Sequence, residues 1–335
     1  MTARGIDIRF LSARDVDELD LSAADVLAAV EGALRAQGEG QVVLEPREHL
    51  VPDPAFNGHF NLLRAYVEPL GMAGVKVVGD YADNYRLGLP SELALLTLYD
   101  PRTGAPLAIV DATEITERRT GAVTAIGARY LARGDAKVLG HIGARGTAFS
   151  NVTMLDSEFD LDEIRVTSRR QESRAAFGAA LTEALDKPVR VVDTPEEAVR
   201  GADIVVEATR LLVPAPLLRT EWIEPGTLVI PYGTVSAVEL SLTDVMDKIV
   251  VDDWAQCRQG RFGALRAHVE RGLLSEANLH AELGEIVAGS RSGRERDDER
   301  ILFWHRGLAT TDLAVGHVLY ERAVERGVGT VLQYR

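Results

Sequence analysis

Polar and apolar residues alternate along this chain with two different periods, and the change from one to the other divides it. Residues 6–11 form a short β-like run. Val26, Leu27, Val30 and Leu34 then repeat at the spacing of one helix face, with Ser22 placed to cap that helix and Gly38 and Gly40 to end it. Residues 44–110 read as an antiparallel β region with strands at 62–67, 74–78, 94–99 and 106–111, and the DPRTG sequence at 100–104 turns between the last two. A long helix is expected over 113–133, with Ala122, Ala125, Ile126 and Tyr130 on one face.

From Asp135 short apolar runs alternate with helical stretches. Strands at 138–142, 163–167, 189–192, 204–207, 228–231 and 249–252, with helices centred on Asn151, Ala176, Ala198 and Val245, describe a doubly wound parallel sheet. Residues 257–311 read as helix and loop, 289–300 as an exposed Gly/Arg/Asp-rich segment, and 312–326 as a final helix. The pattern shows no internal repeat and no low-complexity tract.

The 335 residues suffice for two domains, each with its own core, and 46% hydrophobic with 26% charged residues is the composition of a soluble globular protein. No apolar run approaches the roughly 20 residues of a membrane span. The first residues, MTARGIDIRFLSARD, lack an apolar segment of signal-peptide type. Cys257 is the only cysteine, which excludes an internal disulfide and a thiolate cluster and suits a small buried residue. These features point to the cytosol, with no membrane partner. The net charge of −14 argues against a nucleic-acid partner, which needs a basic face, but leaves room for a small anionic ligand.

The chemistry centres on KVLGHIGARGTAF at 137–149. An apolar strand runs into Gly140, Gly143 and Gly146, after which Thr147 can open a helix and Ala148 is small enough to let it lie close to the strand. Strand, glycine turn and helix N-terminus together hold a dinucleotide pyrophosphate, because backbone amides and the positive helix end face the phosphates. In the G-x-G-x-x-G/A spacing, Gly143 and Ala148 match and Arg145 stands where the second glycine belongs. That arginine either adds a charged phosphate contact or obstructs close approach.

Six blocks in order give the chain a resemblance to the ornithine cyclodeaminase/mu-crystallin family over nearly its whole length. They are PREHL at 46–50, GVKVVGDYADN at 74–84, ITERRTGAVTA at 115–125, the glycine turn, AELGEIVAGSRSGR at 281–294 and GLATTDLAVG at 307–316. Members include cyclodeaminases, amino-acid and opine-type dehydrogenases, ketimine reductases and a thyroid-hormone-binding crystallin. The resemblance implies an α/β architecture in which a Rossmann-type dinucleotide domain, residues 133–311, is inserted into an α+β, β-rich domain. That second domain, 1–132 with 312–335, is expected to bind substrate and form a homodimer.

Arg47, Lys76 and Arg119 match the family's substrate-carboxylate positions, and a guanidinium grips a carboxylate in bidentate geometry. Lys76, in GVKVV, is either a solvated or snorkelling strand lysine or, if buried near an imine, a proton donor with a lowered pKa. Arg119 beside Arg118 also reads as plain surface charge. Asp80, Asp83 and Asn84 form either a polar loop or a wall of the substrate site that receives an amino group. His141 reads as structural. His305, where relatives often carry Lys-Ser, helps define the pocket in one reading. In VIPYGTVSAVEL at 229–240, cyclodeaminases place a general acid/base aspartate where this chain has Gly233, and no carboxylate lies between Glu224 and Glu239. At the end of the second strand, Ser168, Arg169 and Arg170 replace the acid that NAD enzymes offer the ribose, which favours NADP over NAD.

Three functions follow. The first is an NAD(P)-dependent oxidoreductase that reduces a small imino acid or oxidises the matching amino acid or opine. Gly143, Arg145, Gly146, Thr147, Ala148, Ser168, Arg169 and Arg170 would bind the cofactor, Arg47, Lys76, Arg119, Asn84 and His305 the substrate, and Lys76 would be catalytic. The second is an ornithine- or lysine-type cyclodeaminase recycling bound NAD. The third is a non-catalytic small-molecule binding protein. No metal is expected.

Overall fold

The computed structural model describes residues 5–211, 213–260 and 262–335. In chain order its elements are β1 (Asp7–Leu11), α1 (Ala13–Leu19), α2 (Ala23–Gly38), β2 (Val42–Leu50), β3 (Gly58–Val67), β4 (Met72–Tyr81), β5 (Glu92–Tyr99), β6 (Pro106–Asp111) and α3 (Thr113–Leu131). Then come β7 (Val138–Ile142), α4 (Ala148–Phe159), β8 (Glu163–Thr167), α5 (Gln171–Leu185), β9 (Val189–Val191), α6 (Pro195–Val199), β10 (Ile204–Glu207), β11 (Leu228–Pro231) and β12 (Lys248–Val251). The chain closes with α7 (Trp254–Cys257), α8 (Arg266–Glu270), β13 (Ala281–Glu282), α9 (Leu283–Val287), β14 (Ile301–Trp304), α10 (Ala309–Arg326) and β15 (Thr330–Gln333). It divides into two compact units, one built from both ends (up to Arg119 and from Leu308) and the other spanning Thr120–Gly307.

The first unit holds a seven-stranded sheet in the order β15-β1-β6-β5-β4-β3-β2. β1 runs antiparallel to β15 and parallel to β6, and the remaining pairs are antiparallel. One face is covered by α10, which also packs on α2. The period-2 alternation of β4 therefore turns Met72, Gly74, Lys76 and Val78 inward, while Leu96 and Leu98 of β5 and Ala108 and Val110 of β6 join the same buried face. Ser22 caps α2 through the Asp25 amide, and Asp25 returns the bond, a reciprocal capping box.

The second unit is a doubly wound, Rossmann-type parallel sheet of eight strands, ordered β13-β12-β14-β11-β10-β7-β8-β9. Every residue of β10, β11, β12 and β14 is buried. Short continuous apolar runs suit strands covered on both faces. The sequence expectation for 257–311, helix and loop only, is corrected here: β13 and β14 lie within it, and β14 sits between β11 and β12. The helix expected around Val245 is a 3-10 helix, Leu240–Val245. The sheet of the first unit also contains β2, β1 and β15 beyond the four strands read from the alternation of 44–110. Among the described residues no helix is long and apolar enough to cross a membrane, and no cluster of His, Cys, Asp and Glu could hold a metal ion.

Candidate functional site

In the first unit three ionisable side chains meet out of solvent. Lys76 is fully buried; its Nζ donates to Asp312 Oδ1 at 2.5 Å and to Thr116 Oγ1 at 3.0 Å. Arg119 Nε donates to the same Oδ1 at 2.8 Å. The Thr116 hydroxyl gives its own proton to Ala112 O at 2.9 Å and accepts from the lysine through its oxygen. Asp312, in the first turn of α10, is fully buried, and its Oδ2 has no hydrogen bond among the described residues.

Burial pushes the Lys76 ammonium down to about 8; Asp312 pulls it back up and Arg119 pushes it further down. For Asp312 burial acts upward, yet the charges of Arg119 and Lys76 and their hydrogen bonds hold the carboxyl below its usual range. Two cations thus share one anion, leaving a buried excess of one positive charge. Such a cluster is weak evidence for stability, because desolvation of the ions consumes most of the attraction. It is a good receptor for an anion, and perturbed ionisable groups cluster at functional sites. Arg119 Nη1 and Nη2 make no hydrogen bond among the described residues, which leaves the end-on fork of the guanidinium open to a carboxylate.

The other residues read from the sequence lie as follows. Arg47 is half-buried on β2, where the register against β3 shifts between Glu45 and Glu48; such irregularities re-aim side chains. Asn84 Nδ2 donates to Pro90 O at 2.8 Å, and Asp83 accepts from Asn57 and pairs with Arg86, so this polar stretch is braced by bonds within its own loop and with the 53–57 turn. Neither Asn84 nor Asp83 bonds to Lys76, Arg119 or Asp312. Arg118 reaches Leu21 O and Glu114.

In the second unit β7 ends at Ile142 and the chain turns through Gly143, whose amide donates to Thr167 O at 2.9 Å. Gly143 has φ +121, and a Cβ there would lie 2.6 Å from Ala208 O, so only glycine fits this close approach. Arg145 and Gly146 are exposed, and Ala148 is fully buried at the start of α4. Thr147 precedes α4 without a side-chain capping bond; its hydroxyl lies 2.6 Å from the Tyr232 hydroxyl, which Asn151 also contacts. Past β8, Ser168 Oγ bonds to Arg170 O at 3.3 Å, and Arg169 and Arg170 are exposed without ion pairs among the described residues. A tight glycine turn, an uncapped helix start and unpaired guanidinium groups fit the phosphates of a dinucleotide.

His305, the residue after β14, is buried with 1% exposure. Its ring stacks on Phe303 (centroids 5.2 Å apart) and Tyr232 (4.6 Å), and Nε2 lies 3.1 Å from Thr124 Oγ1. It is thus held by bonds and ring contacts within the second unit. His141, fully buried on β7, is pushed down to about 4 by burial and is neutral. Sequence reasoning missed Asp312, the acceptor for both cations, and Glu207, a buried carboxyl at the end of β10. The GLATTDLAVG block contains Asp312, but nothing local shows what it would meet.

The ornithine cyclodeaminase/mu-crystallin family model matches residues 7–327, and the chain belongs to that family. It is similar to the alanine dehydrogenase of Archaeoglobus fulgidus, 32% identical over 97% of this chain and 98% of that protein. Among solved structures it resembles the Thermococcus litoralis Delta(1)-pyrroline-2-carboxylate reductase in complex with NADH and L-proline. The TM-score is 0.89, with 32% identity over 96% of this chain and 99% of that one. An archaeal alanine dehydrogenase dimer with bound NAD matches at TM-score 0.89 and 32% identity, over 98% of this chain and 100% of that one.

Proposed function

We propose that the protein is an NAD(P)-dependent oxidoreductase that reduces a small α-imino acid, or oxidises the matching α-amino acid. The observation that carries this reading is the buried Lys76–Asp312–Arg119 cluster with its excess positive charge. Arg119 offers the open end of its guanidinium to the substrate carboxylate, and Arg47 contributes a second guanidinium. Lys76 has one N–H beyond those given to Asp312 and Thr116, and an ammonium near pH 8 stays charged at neutral pH while remaining able to give up a proton to a developing amine. The reductase with NADH and L-proline and the dehydrogenase with NAD support the same chemistry.

Gly143, Arg145, Gly146, Thr147 and Ala148 would hold the pyrophosphate of a nicotinamide dinucleotide, which when bound supplies or accepts the hydride. Ser168, Arg169 and Arg170 favour a 2′-phosphate, hence NADP, because no acid stands there to receive ribose hydroxyls. Gly233 speaks against the cyclodeaminase reading: a Cβ there would lie 2.7 Å from both Glu207 carboxyl oxygens, so an aspartate cannot be accommodated without rearrangement. The sheet of the first unit leaves Val77, Leu93 and Leu95 38–51% exposed on the side opposite α10, which supports a homodimer through that unit. A single buried cysteine suits a cytosolic enzyme.

The test is titration of the purified protein with NADPH and NADH, followed by nicotinamide fluorescence. Binding of both with NADPH preferred is expected; binding of neither removes the reading.

A further inference from the structure

The C-terminal end of β10 holds a group that the proposed reaction leaves unused. Glu207 is the last residue of a strand buried throughout, and its side chain is wholly shielded from solvent. It lies opposite Ile142 of β7 on one side and Pro231 of β11 on the other. The sheet changes its winding direction between β7 and β10, with β8 and β9 beyond the one and β11, β14 and β12 beyond the other. Ligands of such sheets bind at the carboxyl ends of the strands bordering that point. Ala208, the next residue, already abuts Gly143 of the glycine turn.

The Glu207 carboxyl is wedged between the segments that follow β10 and β11. Oε1 accepts the Thr209 amide at 2.8 Å and the Thr209 hydroxyl. A Cβ on Gly233 would fall 2.7 Å from both carboxyl oxygens and from Thr209 O. Backbone bonds join the same two segments, Tyr232 N to Glu207 O at 2.9 Å and Thr234 N to Thr209 O at 3.1 Å. Oε2 has no hydrogen bond among the described residues.

Among the described residues no cation bonds to this carboxyl. β11 carries no titratable side chain. On β7, His141 is neutral and its Nδ1 lies 3.0 Å from Gly143 O. Arg210, on the segment after β10, is not among the groups that shift the carboxyl, and Tyr232, on the segment after β11, stacks on His305, the residue after β14. Burial accordingly pushes the Glu207 acid up to about 7, against the opposing pull of the Thr209 hydroxyl, the Thr209 amide and the Gly233 amide. An isolated carboxylate beside a crevice that receives phosphates is opposed by every anionic charge brought near it.

We propose that Glu207 is a positioning residue for the dinucleotide that takes up one proton from solvent when the dinucleotide binds, its neutral carboxyl then holding together the two segments that flank the crevice. The proposal rests on the dinucleotide reading given above. The step is carboxylate plus proton to carboxylic acid, with no other bond changed.

The test is the dissociation constant of NADH across roughly pH 6 to 8.5, a range spanning the expected titration. NADH is the probe because it lacks the 2′-phosphate, whose own titration near pH 6 would intrude. In the wild type the constant should rise about five- to tenfold over that range, and calorimetry in two buffers of different ionisation enthalpy should report net proton uptake. Glu207→Gln should bind with little pH dependence and without that uptake. Thr209→Val, which removes a hydroxyl that favours the ionised form, should move the midpoint to higher pH and keeps the test decisive if Glu207→Gln does not fold. A flat wild-type profile, an unchanged slope in Glu207→Gln or an unmoved midpoint in Thr209→Val overturns the proposal while leaving dinucleotide binding intact. Failure of NADH to bind at any pH overturns the dinucleotide reading as well.

Discussion

Replacing Asp312 by Asn removes the one anion that Lys76 and Arg119 share while keeping the side chain's shape. The wild-type lysine falls from 10.5 to about 8, a drop of roughly 2.5 that costs on the order of 3 kcal/mol at about 1.4 kcal/mol per pKa unit. The folded value lies below the unfolded one, so this cost is fully present below about pH 8 and disappears as pH rises toward 10.5. Without Asp312, burial and Arg119 act on Lys76 almost unopposed, and it sheds its proton at neutral pH. Removing one member of a buried ion pair typically costs about 3–5 kcal/mol, and discharge of the lysine keeps the loss near the lower end. The loss should therefore be about 3 kcal/mol at pH 7. It should be roughly 1 kcal/mol smaller at pH 9.5, where Lys76 is neutral in both proteins. Urea unfolding at the two pH values measures this difference, and the NMR titration of methyl-labelled lysine reports Lys76 directly. An equal loss at both pH values, or a Lys76 in Asp312→Asn that still titrates at 8 or above, would refute the reasoning.

Other consequences are open to simple assays. Arg119→Ala should raise KM for the carboxylate substrate on the order of tenfold or more with dinucleotide affinity unchanged, since a charge-assisted contact contributes about 1.5–3 kcal/mol; steady-state kinetics decides it. Gly143→Ala should abolish dinucleotide binding measured by fluorescence, because φ +121 and the approach to Ala208 O both exclude a Cβ. Joint replacement of Arg169 and Arg170 by Ala should weaken NADPH binding about tenfold and leave NADH within about twofold, which competition titration reads out.

Much of this architecture is visible along the chain, for reasons that also explain what is not. β4, β5 and β6 alternate cleanly because one face of their sheet is covered and the other is not, and the short apolar runs of β7, β10 and β11 follow from cover on both faces. β14 escapes because ILFW is four consecutive apolar residues, too short for periodicity to separate a strand from a helix segment. β15 escapes because all four of its residues are exposed and leave no alternation. At the site, Lys76 is readable as a candidate, but the choice between a solvated and a buried lysine depends on which strand face α10 covers. Asp312 lies 236 residues away in sequence, and its pairing exists only after the last helix returns to the first unit. Glu207 reads as the polar end of an apolar strand, and only the fold places its carboxyl against Gly233.

Dinucleotide-dependent reduction of an α-imino acid is the activity expected of a site built on Lys76. Its most direct measurement is the oxidation of NADPH and NADH, followed by nicotinamide absorbance, with cyclic imino acids such as Δ1-pyrroline-2-carboxylate, in wild type and Lys76→Met. Turnover is expected in the wild type, with a loss of about 10²–10⁴-fold in Lys76→Met and dinucleotide affinity retained. No turnover with any α-imino acid, or a Lys76→Met enzyme as active as the wild type, would contradict it.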